Sequence, residues 1–389
     1  MVQGMARVVV LSGLVATAAP ATTWPGAWST VAQAQIGASY DDNVLLAPSQ
    51  PVRADGGQLQ WSGSLKFTGD TLQLQAAPGV VATRYTDMQA LDHTDASLAL
   101  SAGHVAERGS AALTFEAQRD TTLNSELGST GLVSVNRRHE LRSAEFSGTR
   151  ALNERWRLGL QATLADHRYD DGLVVGLLDY RYAQVAASAT FSSSERAQLT
   201  LQATGGRLAV PVLRLLDRDS AALSLGYTWL PAAAWRSSLS LGASRVDAAA
   251  GASAERGVVY SGTVQRSAER DTLSLSARRE ITPNGRGLLG RRDDVGCAVT
   301  HRLTERWVLD LSANLVHNAA LPVAGQGAGA SARYASLTAT ARWQTGERGS
   351  LVLMIGHANQ RDDSVAGGTA SRLQATLGWR WNGLERTWH

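Results

Sequence analysis

Residues Asp294–Asn318 read DVGCAVTHRLTERWVLDLSANLVHN, and their spacing decides the fold. Trp307, Leu309, Leu311, Ala313 and Leu315 share one parity; Asp310, Ser312 and Asn314 share the other. A period of two is that of a β-strand with one apolar and one polar face. Only Thr304-Glu305-Arg306 parts this segment from the alternating one before it, so the pair predicts a tight antiparallel hairpin.

The same unit recurs along the chain. Eighteen alternating segments can be marked from Gln35 to Trp381, the first over 35–46 and the last over 369–381. Each suits a tilted membrane strand of roughly 9–11 residues. No 3.6 period follows residue 35, and no run approaches the roughly 18 apolar residues of a spanning helix.

The connections sort into two classes. Every second one is tight, and six of these eight turns carry the same dipeptide: Glu107-Arg108, Glu154-Arg155, Glu195-Arg196, Glu269-Arg270, Glu305-Arg306 and Glu347-Arg348. The others are longer and richer in Gly, Pro, Asp and Ala, such as Thr122–Arg137, Pro283–Gly290 and Ala319–Ala330. A soluble sandwich has no reason to sort its loops so. Short periplasmic turns and long external loops belong to an outer-membrane barrel. The predicted fold is therefore all-β: a single antiparallel up-and-down transmembrane barrel of about eighteen strands.

Parity assigns the faces. The apolar sets include Leu72/Leu74/Ala76, Leu113/Phe115/Ala117, Leu158/Leu160/Ala162/Leu164, Leu199/Leu201/Ala203, Leu239/Leu241/Ala243 and Leu373/Ala375/Leu377. Eighteen strands enclose more space than these side chains could fill, so the apolar sets face lipid. Closure then removes the sheet edges that lipid could not satisfy. Trp61, Trp156, Trp229, Trp235, Trp307, Trp343, Trp379 and Trp381 share the outward phase near the short turns and predict a periplasmic aromatic girdle.

The ends fit export. Arg7, the apolar stretch Val8–Ala21 and Ala32-Gln33-Ala34 read as a secretory signal over 1–34, with Sec-type export and cleavage after Ala34. Residues 35–381 are the expected barrel, and 382–389 a short periplasmic tail. Gln374–Trp381 (QATLGWRW) resembles the C-terminal assembly signal of outer-membrane barrels, although Asn382–His389 follows it. The predicted location is the outer membrane of a Gram-negative cell, with lipid and lipopolysaccharide as neighbours.

The expected lumen carries Lys66, Arg157, Arg236, Arg278, Arg342, Arg372 and Arg380 against Glu116, Glu145 and Asp310. Such an excess favours anions through a focused potential and bidentate carboxylate contacts. The alternative is that arginines and carboxylates pair and brace the wall. A net charge of +3 gives no argument for nucleic acid. Cys297 is the sole cysteine, which excludes intramolecular disulfides and cysteine-rich metal sites and reads as an apolar filler. Acidic pairs recur at Asp41-Asp42, Asp170-Asp171, Asp293-Asp294 and Asp362-Asp363, without the spacing of a calcium loop; they read as solvated loop charge. Asp166-His167 is an Asp-His pair at strand depth, but no G-x-S-x-G or H-E-x-x-H accompanies it. No enzyme, cofactor or metal is expected.

Tyr40-Asp41-Asp42-Asn43-Val44-Leu45-Leu46 resembles the opening strand of a bacterial family of outer-membrane β-barrel porins, which includes proteins of exopolysaccharide operons and exosortase systems. Arg84-Tyr85, Leu91-Asp92-His93 and Tyr180-Arg181-Tyr182 are similar too. The resemblance implies a channel assisting exopolysaccharide export, with polysaccharide cargo and periplasmic or inner-membrane partners. The alternatives are a general diffusion porin for small solutes and a plugged structural or adhesive barrel. Loop Thr122–Arg137 is long enough to fold inward.

Overall fold

The computed structural model describes residues 26–126, 136–248, 254–321, 331–363 and 368–388. Its strands are β1 (Gly26–Asp41), β2 (Ala54–Gly69), β3 (Leu72–Tyr85), β4 (His93–Ala106), β5 (Gly109–Thr121), β6 (Arg138–Ala151), β7 (Trp156–Tyr169), β8 (Tyr180–Ser194), β9 (Ala197–Ala209), β10 (Arg218–Ala232), β11 (Trp235–Ala248), β12 (Glu255–Ser267), β13 (Asp271–Pro283), β14 (Leu289–Arg302), β15 (Trp307–Ala320), β16 (Ser331–Gln344), β17 (Gly349–Asp362), β18 (Thr369–Asn382) and β19 (Arg386–Trp388). A single helical turn, α1 (Thr122–Ser125), follows β5.

Consecutive strands from β1 to β18 pair antiparallel, and β1 pairs β18, so the sheet closes into a ring of eighteen. Closure leaves no strand edge within the wall, which a span through hydrocarbon requires. Six short turns hold the recurrent Glu-Arg dipeptides, all exposed, between β4 and β5, β6 and β7, β8 and β9, β12 and β13, β14 and β15, and β16 and β17.

Register turns the sequence parity into two surfaces. Ala189, Leu201, Leu225, Leu241 and Tyr260 stand abreast on β8–β12 and face out. One residue along, Thr190, Thr200, Gly226, Ser240 and Ser261 form the matching inward row. Leu241 is 61% exposed and Leu311 47%, as lipid-facing side chains should be. The girdle tryptophans are exposed, and Trp307 stacks on Trp343 with ring centroids 5.7 Å apart. Trp61 is the exception in depth: it lies halfway along β2, opposite Ala34 and Val80, rather than beside the Gly69 turn.

Two expectations at the ends need correction. The first strand begins at Gly26, not Gln35, and stops at Asp41, not Leu46. Ala32-Gln33-Ala34 is therefore paired with β2, and the expected cleavage after Ala34 falls inside β1. The tail is not free: β19 pairs Arg386–Trp388 with Trp28–Thr30 of β1. The apolar stretch Val8–Ala21 of the expected signal, the middle of Thr122–Arg137 and most of Ala319–Ala330 lie outside the described residues.

Candidate pore and its external mouth

The inward parity lines a lumen whose middle is mostly small and polar, with Glu116 and Glu145 as its mid-strand charges. Thr190 and Thr200, for example, share a hydroxyl hydrogen bond of 3.0 Å across β8 and β9. All ten expected charged lining residues fall on this parity, but they divide by height and by partner. Arg157 and Arg236 each follow a girdle tryptophan at the start of a strand, and Lys66 lies near the end of β2. Among the described residues none of the three has an acidic group within ion-pair distance. Arg342 is 3.9 Å from Asp310, and Arg380 donates from Nε to Gln35 at 3.0 Å. These residues lie toward the short-turn end of the lumen.

Of the other lumen charges, Arg372 and Arg278 are paired, whereas among the described residues Glu116 and Glu145 have no cationic group within ion-pair distance. Toward the external end Arg372 donates from Nε to Asp41 at 2.6 Å and from a terminal nitrogen to Gln374 at 2.8 Å. Arg278 lies 3.7 Å from Asp294 and 3.8 Å from Glu280. Glu145 accepts from Gln161 at 2.8 Å. The lumen arginines therefore divide by depth: Arg372 and Arg278 are paired near the long loops, and Arg157 and Arg236 have no acidic partner among the described residues near the short turns. The acidic pairs are not solvated loop charge throughout, because Asp41, Asp293 and Asp294 are held by arginines.

The external mouth is built from residues far apart in sequence. Asp120 on β5 faces His139 on β6, and Asp120 Oδ1 is 2.9 Å from His139 Nδ1. His139 Nε2 is 3.0 Å from His167 Nδ1, and His167 stacks on Tyr180 at 4.4 Å. Asp166 and His167 are thus no dyad. Successive residues of a strand face opposite ways, and Asp166 turns outward to Arg168 and Arg181. Sequence spacing missed Asp120 and His139; they meet only through the β5–β6 register.

Above this chain of rings the loops turn inward. α1 brings Glu126 to a buried position, where its carboxyl accepts a hydrogen bond from the Tyr169 hydroxyl. The loop after β7 joins the loop before β14 by a backbone bond from Leu178 N–H to Gly285 O, 2.9 Å long. Gly287 takes φ +67° there, in the left-handed region that suits glycine, and a Cβ on it would stand 3.1 Å from Leu178. Tyr169, Tyr180, Leu208, Val210, Leu216, Val246 and Leu289 bury one another beneath this contact. The cluster draws on strands from β7 to β14, so it crosses the mouth rather than lining one wall.

From the other side, the segment after β1 folds over β16–β18. Asn43 donates to Ala47 O and Ser371 O at 3.0 Å each, and the Asp42 carboxyl accepts from Leu373 N–H at 2.6 Å. Val44 and Leu46 are buried, Leu46 against Ala358, Ala370 and Tyr334. The motif Tyr40–Leu46 is therefore a latch across the β1–β18 seam. Asp42, Asn43 and Leu46 answer to closing the barrel.

An outward apolar band, a girdle, closed pairing and a polar interior belong together only in a membrane. The chain is a β-barrel of the outer membrane. Its fold is similar to OpdK of Pseudomonas aeruginosa, with a TM-score of 0.48 and 13% identity over 92% of this chain and 99% of that one. It is similar also to P. aeruginosa OccK2 (OpdF), solved in complex with glucuronate, with a TM-score of 0.48, 12% identity and coverage of 92% and 98%. A third similar structure is a BenF-like porin from P. fluorescens Pf-5, with a TM-score of 0.49, 9% identity and coverage of 92% and 98%. No family model matches the chain, and no curated protein matches it.

Proposed function

We propose that the barrel is a passive diffusion channel for small solutes, with a modest preference for anions. The observation that carries this reading is the meeting of loops across the external mouth, where Leu178 bonds Gly285 and Glu126 lies beside it. A small solute needs only the remaining gap. A polysaccharide threaded outward would need the loops to part and the buried cluster around Leu208 and Val210 to open. Export of exopolysaccharide is the second reading. It is favoured by the latch motif Tyr40–Leu46, but that motif is accounted for by barrel closure. Anion preference follows from Arg157, Arg236 and Lys66, whose charges stand uncompensated at the periplasmic opening.

The test is swelling of proteoliposomes in size-graded sugars and small organic acids. Swelling that falls steeply with solute size, and runs faster for a monoanionic acid than for a neutral sugar of equal size, is expected. Vesicles that swell no faster with the protein than without it would overturn the reading.

A further inference from the structure

The outward face changes character within single strands. On β5 the series runs Leu113, Phe115, Ala117, Arg119; on β6 Phe146, Ala144, Arg142, Glu140; on β7 Leu160, Ala162, Leu164, Asp166, Arg168; on β8 Val185, Ala183, Arg181. Each series is apolar in mid-wall and charged toward the long external loops; β6 also carries Arg150 at its other end. Register sets Arg119 beside Glu140 and Glu140 beside Arg168; one row lower it sets Arg142, Asp166 and Arg181 abreast. The result is a checkerboard of four arginines around two carboxylates, on the outside of the wall, where the apolar band ends.

The carboxylates do not satisfy the arginines. Arg168 is 3.0 Å from Asp166, but Arg181 is 3.8 Å from it. Arg119 is 3.6 Å from Glu140 and 3.9 Å from Asp170, and Arg142 3.8 Å from Glu140, all beyond good hydrogen-bond length. The four arginine side chains are between 49% and 66% exposed. Guanidinium forks pointing out of the wall, just above hydrocarbon, match phosphate groups in shape and charge.

We infer that this face of β5–β8 binds the phosphorylated sugar headgroup of the outer-leaflet glycolipid. The pattern favours that occupant over a glycerophospholipid. Four guanidinium groups spread over four strands suit a broad headgroup with several phosphates, and the interleaved Glu140 and Asp166 can share divalent cations with it. The short-turn end carries no such cluster: there the belt is tryptophan, and the outward strand charges, such as Arg150 and Arg266, stand apart, Arg266 over the ring of Trp235.

The experiment uses the full-length barrel folded into nanodiscs containing equimolar lipopolysaccharide and phosphatidylglycerol. After exchange into detergent, retained lipid is counted by native mass spectrometry. The wild type is expected to keep lipopolysaccharide, and the variant R119Q/R142Q/R168Q/R181Q to keep at least tenfold less. A control variant in the periplasmic turns, R196Q/R270Q/R306Q/R348Q, should keep as much as the wild type. Heat-modifiable gel mobility checks that each variant is folded; should the glutamine variant fail that check, the single variants R142Q and R181Q, each expected to lose at least twofold, replace it. Equal retention by folded wild type and variant overturns the inference. So does equal retention of phosphatidylglycerol, or competition by inorganic phosphate at concentrations equal to the glycolipid's.

Discussion

Glu126 lies against Gly285: a Cβ added at Gly285 would stand 2.9 Å from the Glu126 carboxyl group. Glu126 follows β5 and Gly285 precedes β14, on the far side of the ring. Cysteines at the two positions should therefore link. With the lipid-facing Cys297 replaced by Ala, oxidation of E126C/G285C is expected to give a fast-migrating, reductant-sensitive species on unheated gels. A pair that stays reduced under mild oxidant would show that these loops do not meet across the mouth.

The hydroxyl of Tyr169 ties the same Glu126 to the wall of β7. Tyr169→Phe removes that donor and keeps the ring that stacks on His139. A hydrogen bond to a buried carboxyl group is worth roughly 1–3 kcal/mol. The barrel should stay folded while the loops loosen. The expected readouts are faster protease cleavage between β5 and β6 and more current fluctuation in planar bilayers; cleavage at the wild-type rate would mean that the bond holds nothing in place.

Face assignment predicts opposite outcomes for neighbouring residues. Leu241→Arg and Leu311→Arg place a charge in hydrocarbon and should cost about 2–4 kcal/mol each. Ser240→Arg and Ser312→Arg place it in the lumen and should cost little. Urea unfolding in lipid vesicles measures both. Equal losses at the two parities would contradict the inward and outward rows.

The lumen arginines predict a graded effect on selectivity. Neutralising Arg157 and Arg236 together removes charge that no acid compensates, so the reversal potential in a salt gradient should move toward cation selectivity. Arg372→Gln should move it toward cations too, but through Asp41, which is left in the lumen without its arginine; R372Q/D41N, which removes both charges of the pair, should leave the reversal potential near the wild-type value. A reversal potential unmoved by losing Arg157 and Arg236, or moved as far by R372Q/D41N, would rule out the division between free and neutralised charge.

Much of this molecule is local and was legible before any contact was known. Seventeen of the eighteen expected segments match β2–β18 to within three residues at each end. Only the first was misplaced, because Val44–Leu46 continues the apolar flavour of a strand while folding as a latch. Parity put every one of Lys66, Arg157, Arg236 and Arg342 on the inner face, because side-chain direction in a strand depends on sequence alone once the strand exists.

What the sequence determined by itself is thus the strand count, the two faces and the sorting of short turns from long loops. Each rests on a period of two or on turn length, and both are properties of adjacent residues. Only the tertiary structure decided that Asp120, His139 and His167 form one chain while Asp166 faces away, that Arg372 is neutralised and Arg157 is not, and that Glu126 reaches Gly285 across the ring. The reason is physical. These pairings depend on register between strands and on the closure of eighteen of them, which brings together residues that no spacing along the chain relates.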